Sequence, residues 1–139
     1  MSISEYPKLY KPENQKFTFL VVDDSMFMRN QISDILKEMD CLIIGEAENG
    51  KDAIEKCEQL KPDFITLDLT MPVMDGLQAL QSLREKKFSS KVIVISALGQ
   101  KEKVLDCIKL GAMEYIVKPF DDGDVAKRIH YVLKKSTAA

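Results

Sequence analysis

Five short apolar runs, at residues 17–22, 42–44, 64–69, 92–95 and 115–117, are each followed by a stretch in which apolar side chains return at helical spacing. Near-continuous apolar strands cannot leave one face in water, so each must be covered on both sides. The intervening helices are marked by Met28, Ile32, Ile35, Leu36 and Met39; by Ala53, Ile54, Cys57 and Leu60; by Leu77, Ala79, Leu80 and Leu83; and by Val104, Leu105, Ile108 and Leu110. A last helix, from about 121 to 135, puts Val125, Ile129, Val132 and Leu133 on one side and most of its lysines and arginines on the other. Strand then helix, repeated, predicts an α/β fold: an open parallel sheet with helices on both faces, joined by right-handed crossovers. Asn49-Gly50 reads as a turn, Pro62 stops the second helix, and Gly111 sits at a C-cap.

The ends of these strands carry the chemistry. Asp23 and Asp24 end the first run, Asp68 the third, Ser96 the fourth and Lys118 the fifth. In an open parallel sheet the site lies beyond the carboxyl ends of the strands, so five residues scattered along the chain are expected at one edge. Three carboxylates brought together repel, and a hard divalent cation with oxygen ligands is the least costly way to keep them ionised. Magnesium suits: it takes octahedral oxygen coordination and leaves positions for phosphate oxygens. Asp24 and Asp68 are expected to ligate directly, Asp23 through water, and the Thr70 backbone carbonyl to complete the set. Lys118 and the Ser96 hydroxyl then supply a positive charge and a donor to a phosphoryl group arriving on Asp68. Taken singly, Asp23 or Asp24 before a helix reads as an N-cap, and Lys118 before a proline as a solvated loop residue. Their joint placement at strand ends favours the phosphoryl site.

Other function classes fit poorly. The chain has 139 residues, enough for one domain with a proper core and too few for a catalytic domain plus a separate regulatory one. A net charge of -2 with no basic cluster interleaved with aromatics disfavours nucleic-acid binding. The apolar runs are far too short for a membrane span and no signal peptide is legible, so a cytoplasmic location is expected. Cys41, Cys57 and Cys107 are widely spaced, and the single histidine, His130, lies in the last helix; neither a disulfide framework nor a zinc site is indicated. Residues 1–16, with Pro7 and Pro12, read as a flexible leader, although Ile3, Tyr6, Leu9 and Tyr10 could dock on a surface. Residues 17–137 form the domain, and 138–139 a frayed tail.

Val-Val-Asp-Asp-Ser at 21–25, Leu-Asp-Leu-Thr-Met-Pro-Val-Met-Asp-Gly at 67–76, Ile-Ser-Ala at 95–97 and Tyr-Ile-Val-Lys-Pro-Phe at 115–120 together resemble a response-regulator receiver domain of the stand-alone chemotaxis type, over about residues 17–135. The resemblance implies a flavodoxin-like five-stranded sheet of order 2-1-3-4-5, an order already known for this fold family and carried over from it. It further implies Asp68 as phosphoacceptor, Asp23 and Asp24 as the acidic metal pair, Ser96 as the switch hydroxyl, Tyr115 as the switch aromatic, Lys118 as the site lysine, and a cis Lys118-Pro119 peptide. Thr70 and Leu98 occupy the positions through which family members vary the lifetime of the acyl phosphate.

The function so implied is a monomeric phosphorylation-controlled switch, not a turnover enzyme. It would take a phosphoryl group from a histidine kinase, be reset with or without a phosphatase, and bind a flagellar motor switch protein through helix 4, strand 5 and helix 5. No effector domain is legible after the last helix, so output is expected as altered protein binding. On phosphorylation Ser96 would move toward Asp68 and Tyr115 would turn inward behind it. One alternative is a phosphorelay intermediate passing phosphate to a histidine phosphotransfer protein. Another is a haloacid-dehalogenase-like phosphatase, suggested by Asp68-Leu-Thr70 but opposed by an acidic pair that precedes the nucleophile.

Overall fold

A computed structural model describes residues 2–137; Met1 and the expected frayed tail at 138–139 lie outside the described residues. The chain runs β1 (Thr18–Val22), α1 (Met26–Glu38), β2 (Leu42–Ala47), α2 (Gly50–Leu60), β3 (Phe64–Leu67), α3 (Gly76–Glu85), β4 (Lys91–Ser96), α4 (Lys101–Lys109), β5 (Glu114–Val117) and α5 (Asp122–Thr137). Among the described residues the five strands pair in parallel in the order β2-β1-β3-β4-β5. The expected fold class and strand order are those observed.

Successive side chains of a strand point to opposite faces, and the two cores divide accordingly. Phe19 and Val21 of β1, with Phe64 of β3, meet Ile32, Ile35 and Leu36 of α1 and Val125, Ile129 and Leu133 of α5. Leu20 and Val22, with Ile65 and Leu67, meet Ala53 and Cys57 of α2, Leu80 and Leu83 of α3, and Cys107 of α4. The Phe19 and Phe64 rings stack across neighbouring strands with centroids 5.1 Å apart. All three cysteines are buried and free, as packing residues should be. Burial pushes the Cys41 thiol up to about 12, with the Asp40 charge adding to it, so this thiol stays protonated and unreactive.

Two local readings are corrected. Asn49-Gly50 is not a turn but a helix start: Asn49 is the N-cap of α2, its side chain accepting from the Asp52 amide at 2.8 Å, and Gly50 is the first helical residue. Gly50 is needed because a Cβ there would stand 2.7 Å from the Met74 carbonyl oxygen. Strand β2 runs to Ala47, three residues beyond the apolar run, because Leu20, Val21 and Val22 pair with Gly45, Glu46 and Ala47 and carry the ladder through a polar segment.

The N-terminal stretch carries 3-10 turns at Ile3–Glu5 and Pro12–Asn14 and lies against the α1/α5 layer. Ile3, Tyr6 and Leu9 pack on that core, and the Tyr6 ring sits 5.5 Å from the His130 ring. Tyr10 donates to Asp40 at 2.6 Å, Lys16 pairs with the same carboxylate at 3.0 Å, and Lys11 pairs with Asp63 at 2.9 Å.

Asp63, just ahead of β3, ties three segments together. One carboxylate oxygen accepts the Thr18 amide at 2.8 Å and the Thr18 hydroxyl at 3.0 Å besides facing Lys11, while the Asp63 amide donates to the Thr18 hydroxyl at 2.9 Å. Burial raises its pKa, but Lys11 and the Thr18 donors outweigh burial and hold it below the ordinary value. Asp63→Ala leaves the Thr18 amide without this acceptor and is expected to cost about 1–3 kcal/mol in urea unfolding at neutral pH. A group whose pKa is depressed on folding stabilises above its unfolded value and loses that contribution as pH falls through its folded value. The gap between wild type and Asp63→Ala should therefore narrow on acidification below the ordinary carboxylate pKa, and a gap independent of pH would contradict the assignment.

Candidate functional site at the carboxyl edge of the sheet

The β1–α1 connection is short because Ser25, not either aspartate, caps α1. Its side-chain oxygen accepts the Met28 amide at 3.2 Å, which leaves Asp23 and Asp24 free of capping duty. Asp23 is 1% exposed; its amide donates to the Ala47 carbonyl, and its carboxylate accepts the Ser25 amide at 2.9 Å. Asp68, 5% exposed, follows β3, where its amide continues the ladder to the Val22 carbonyl and its carboxylate accepts the Thr70 amide at 3.3 Å. Helix α3 closes tightly over this strand end. A Cβ on Gly76 would lie 2.0 Å from the Asp68 carbonyl oxygen, so only glycine allows the approach.

Carboxylate oxygens of Asp23, Asp24 and Asp68 lie within 4.8 Å of one another. Lys118, next to a cis peptide with Pro119, places its ammonium 2.6 Å from Asp23 and 3.7 Å from Asp68. Lys118 is the one cation in salt-bridge contact with these carboxylates among the described residues, and the Asp68 carboxyl is shifted. Burial raises its pKa most; Lys118 opposes, Asp23 and Asp24 add to the rise, and the net direction is upward. Hard oxygen donors this close, under-neutralised and partly open through exposed Asp24, fit a small divalent cation such as magnesium.

Ser96 ends β4 fully buried, its hydroxyl accepting the Leu98 amide at 3.2 Å, and its carbonyl accepts the Lys118 amide at 2.8 Å. β4 neighbours both β3 and β5, so Ser96 stands on the strand between those leading to Asp68 and to Lys118. Tyr115 lies inward, 6% exposed, packed in the same core as Val94 and Cys107, and its hydroxyl donates to the Leu98 carbonyl. Burial raises its phenol pKa, with Cys107 adding and the Ser96 hydroxyl opposing. In this inward place the core packs the ring and the Leu98 carbonyl accepts its hydroxyl. Thr70 and Leu98 lie just beyond Asp68 and Ser96, with the Thr70 side chain exposed and its amide on Asp68. His130 is remote, in α5 beneath Tyr6.

One side chain at this edge was not legible in the sequence: Arg29 of α1, 7% exposed, donates from Nη1 to the Asp23 carbonyl at 2.8 Å and from Nε to Glu46 at 3.0 Å. Its spacing from the aspartates is ordinary helix spacing, and no motif marks it.

Comparison with known proteins shows the family. The family model for the response regulator receiver domain matches residues 19–130. The chain is 50% identical over 117 residues to a chemotaxis protein CheY of Listeria monocytogenes, covering 84% of this chain and 95% of that one. It is 44% identical over 130 residues to the CheY of Treponema pallidum, covering 92% and 90%. Among solved structures it resembles a CheX-CheY-BeF3-Mg complex from Borrelia burgdorferi, with a TM-score of 0.86 at 36% identity, covering 94% of this chain and 98% of that one.

Because Asp68 is held with a raised pKa, its ionised form costs the fold stability above the ordinary carboxylate pKa, and that cost disappears as pH falls. In a metal chelator at neutral pH, Asp68→Asn should therefore unfold at higher denaturant than wild type, with the difference shrinking on acidification. A less stable Asp68→Asn under those conditions would show that Lys118 already neutralises the site.

Proposed function

The chain belongs to the response regulator receiver family, and from that membership and the geometry of its carboxyl edge we propose that it is a chemotaxis switch phosphorylated on Asp68. It is a signalling protein rather than a turnover enzyme, and the haloacid-dehalogenase-like reading has no support in the family match. The observation that carries the proposal is a nearly buried carboxylate at the end of the central strand, flanked by two further carboxylates and one ammonium.

In this reading an oxygen of Asp68 attacks the phosphorus of a phosphohistidine on a histidine kinase. A P–O bond forms, the P–N bond breaks, and the imidazole leaves with its electron pair. Asp23, Asp24 and Asp68, with the Thr70 carbonyl, are the residues that would hold magnesium. The ion supplies the positive charge that phosphate oxygens need beside carboxylates. Lys118 contributes its ammonium to the same oxygens and gives up part of its hold on Asp23 to do so. The Ser96 hydroxyl donates to a phosphoryl oxygen, a charge-assisted bond stronger than its neutral counterpart. Because the Leu98 amide bonds Ser96 and the Leu98 carbonyl accepts Tyr115, that donation holds the β4–α4 loop and the inward tyrosine together.

The readout lies on the α4, β5 and α5 face, where Leu105, Ile108, Val117 and Tyr131 are each between 44% and 53% exposed. That apolar surface suits a flagellar motor switch protein, and a CheX-type partner is the second kind the reading includes. The setting is cytoplasmic, where the kinase and the motor meet the protein. No described helix is long and apolar enough to cross a membrane.

With acetyl phosphate and magnesium, wild type should incorporate one phosphoryl group and Asp68→Asn none; incorporation in the mutant would move the acceptor elsewhere. Lys118→Ala should still be phosphorylated yet lose at least tenfold, or ~1.4 kcal/mol, in phosphorylation-dependent binding to a motor switch protein. Undiminished binding would remove Lys118 from the switch.

A further inference from the structure

Arg29 is the one basic side chain among the described residues that is buried to below a tenth of its surface. Burying a guanidinium is costly unless its charge and donors find partners, and here two donors are hydrogen-bonded and a further nitrogen faces a carboxylate. Nη1 donates to the Asp23 carbonyl at 2.8 Å, Nε donates to Glu46 at 3.0 Å, and Nη2 faces Glu48 at 3.8 Å. Nor does Arg29 favour its own helix: it lies in the first turn or so of α1, where the macrodipole disfavours a cation. The gain has to come from what it holds.

What it holds is the peptide joining the two acids. The remaining polar groups of Asp23 are fixed independently: the amide by the Ala47 carbonyl, one carboxylate oxygen by the Ser25 amide, the other by Lys118. Asp24 is exposed, and its carboxylate has no hydrogen-bond partner among the described residues. Its position within 4.8 Å of Asp23 and Asp68 is therefore set by the backbone that carries it, and the carbonyl of that backbone is the one Arg29 grips. Glu46 anchors the other side of the guanidinium to β2, where it pairs with Val21, two places before Asp23. A planar fork spanning two acceptors gives the directional hold that a point charge lacks.

We propose that Arg29 is a positioning residue for metal binding: a two-point clamp between the Asp23 carbonyl and Glu46 that presents the Asp24 carboxylate to the cation. This rests on the magnesium reading above. Its electrostatic effect runs the other way, since a buried positive charge beside the acids repels an incoming cation. The sign of the mutant effect therefore separates the two.

The test is magnesium titration of the whole chain, followed by backbone amide NMR signals of Asp24 and Ser25, beside thermal unfolding of each variant. Arg29→Met keeps the bulk of the stem, and is expected to weaken magnesium about tenfold, or ~1.4 kcal/mol, and to shift the Asp24 amide before any metal is added. Arg29→Lys keeps the charge but not the fork and is expected to weaken it about threefold. Tighter binding in Arg29→Met would make Arg29 a charge effect only and overturn the clamp. Unchanged affinity with a lowered melting temperature would make it plain packing and overturn the clamp as well. Should Arg29→Met fail to fold, Arg29→Lys decides, because wild-type affinity there would exclude a two-point hold. No saturable binding by wild type itself would instead overturn the metal reading, and the clamp with it.

Discussion

Everything at the carboxyl edge answers to one electrostatic conflict: three carboxylates within 4.8 Å of one another and a single ammonium to face them. At such separations unscreened like charges repel by kilocalories, so the backbone that brings these acids to one edge works against their charge. Parallel pairing of β1 with β3 sets the distance between the acid pair and Asp68. Ser25 takes over the capping of α1, Gly76 lets α3 seat directly on the Asp68 carbonyl, and Lys118 is delivered by the neighbour of the neighbouring strand. The fold is the device that holds these charges together.

The same geometry explains why the two faces of the sheet are not equivalent. The α1/α5 face carries the aromatic core of Phe17, Phe19 and Phe64 and is also covered by Ile3, Tyr6 and Leu9 from the N-terminal stretch. The α2/α3/α4 face is built of smaller aliphatic side chains, and Tyr115 enters it from β5. The acid pair leads into α1 and Ser96 into α4, so the carboxyl edge touches both layers.

How much of this the sequence revealed depended on whether the deciding force was local. Apolar periodicity is local, so Phe19 to Val22 and Ile93 to Ile95 were legible as strands, and the acids that ended them were legible as one edge. Gly45 to Ala47 was not, because its strand character comes from the ladder to β1 rather than from its own side chains. Asn49-Gly50 carries turn and cap chemistry equally, and only the Met74 backbone pressing on Gly50 decides between them. Arg29 was not legible because no motif marks its partners, one of which lies 17 positions away on β2. Tyr115 was placed correctly on its strand, yet its side-chain state depends on Leu98, a loop carbonyl across the sheet edge.

Helix α4 fully buries one side chain, Cys107, with Val104 partly buried against the same core, and begins without a side-chain cap, whereas α5 buries Val125, Ala126, Ile129, Val132 and Leu133. A helix so lightly anchored has a low free energy of local opening, because little apolar surface is exposed when it lifts. Backbone amides of α4 should exchange with solvent well ahead of those in α5 by hydrogen–deuterium exchange, and equal protection of the two helices would refute this. The protein thus carries a lightly buried helix directly beside the loop that ties Ser96 to Tyr115. A change of a few kcal/mol at the acid cluster lies below the global stability of a domain and is comparable to the opening of a unit like this one. The fold need not be loosened as a whole for a phosphoryl group to be felt at a distance.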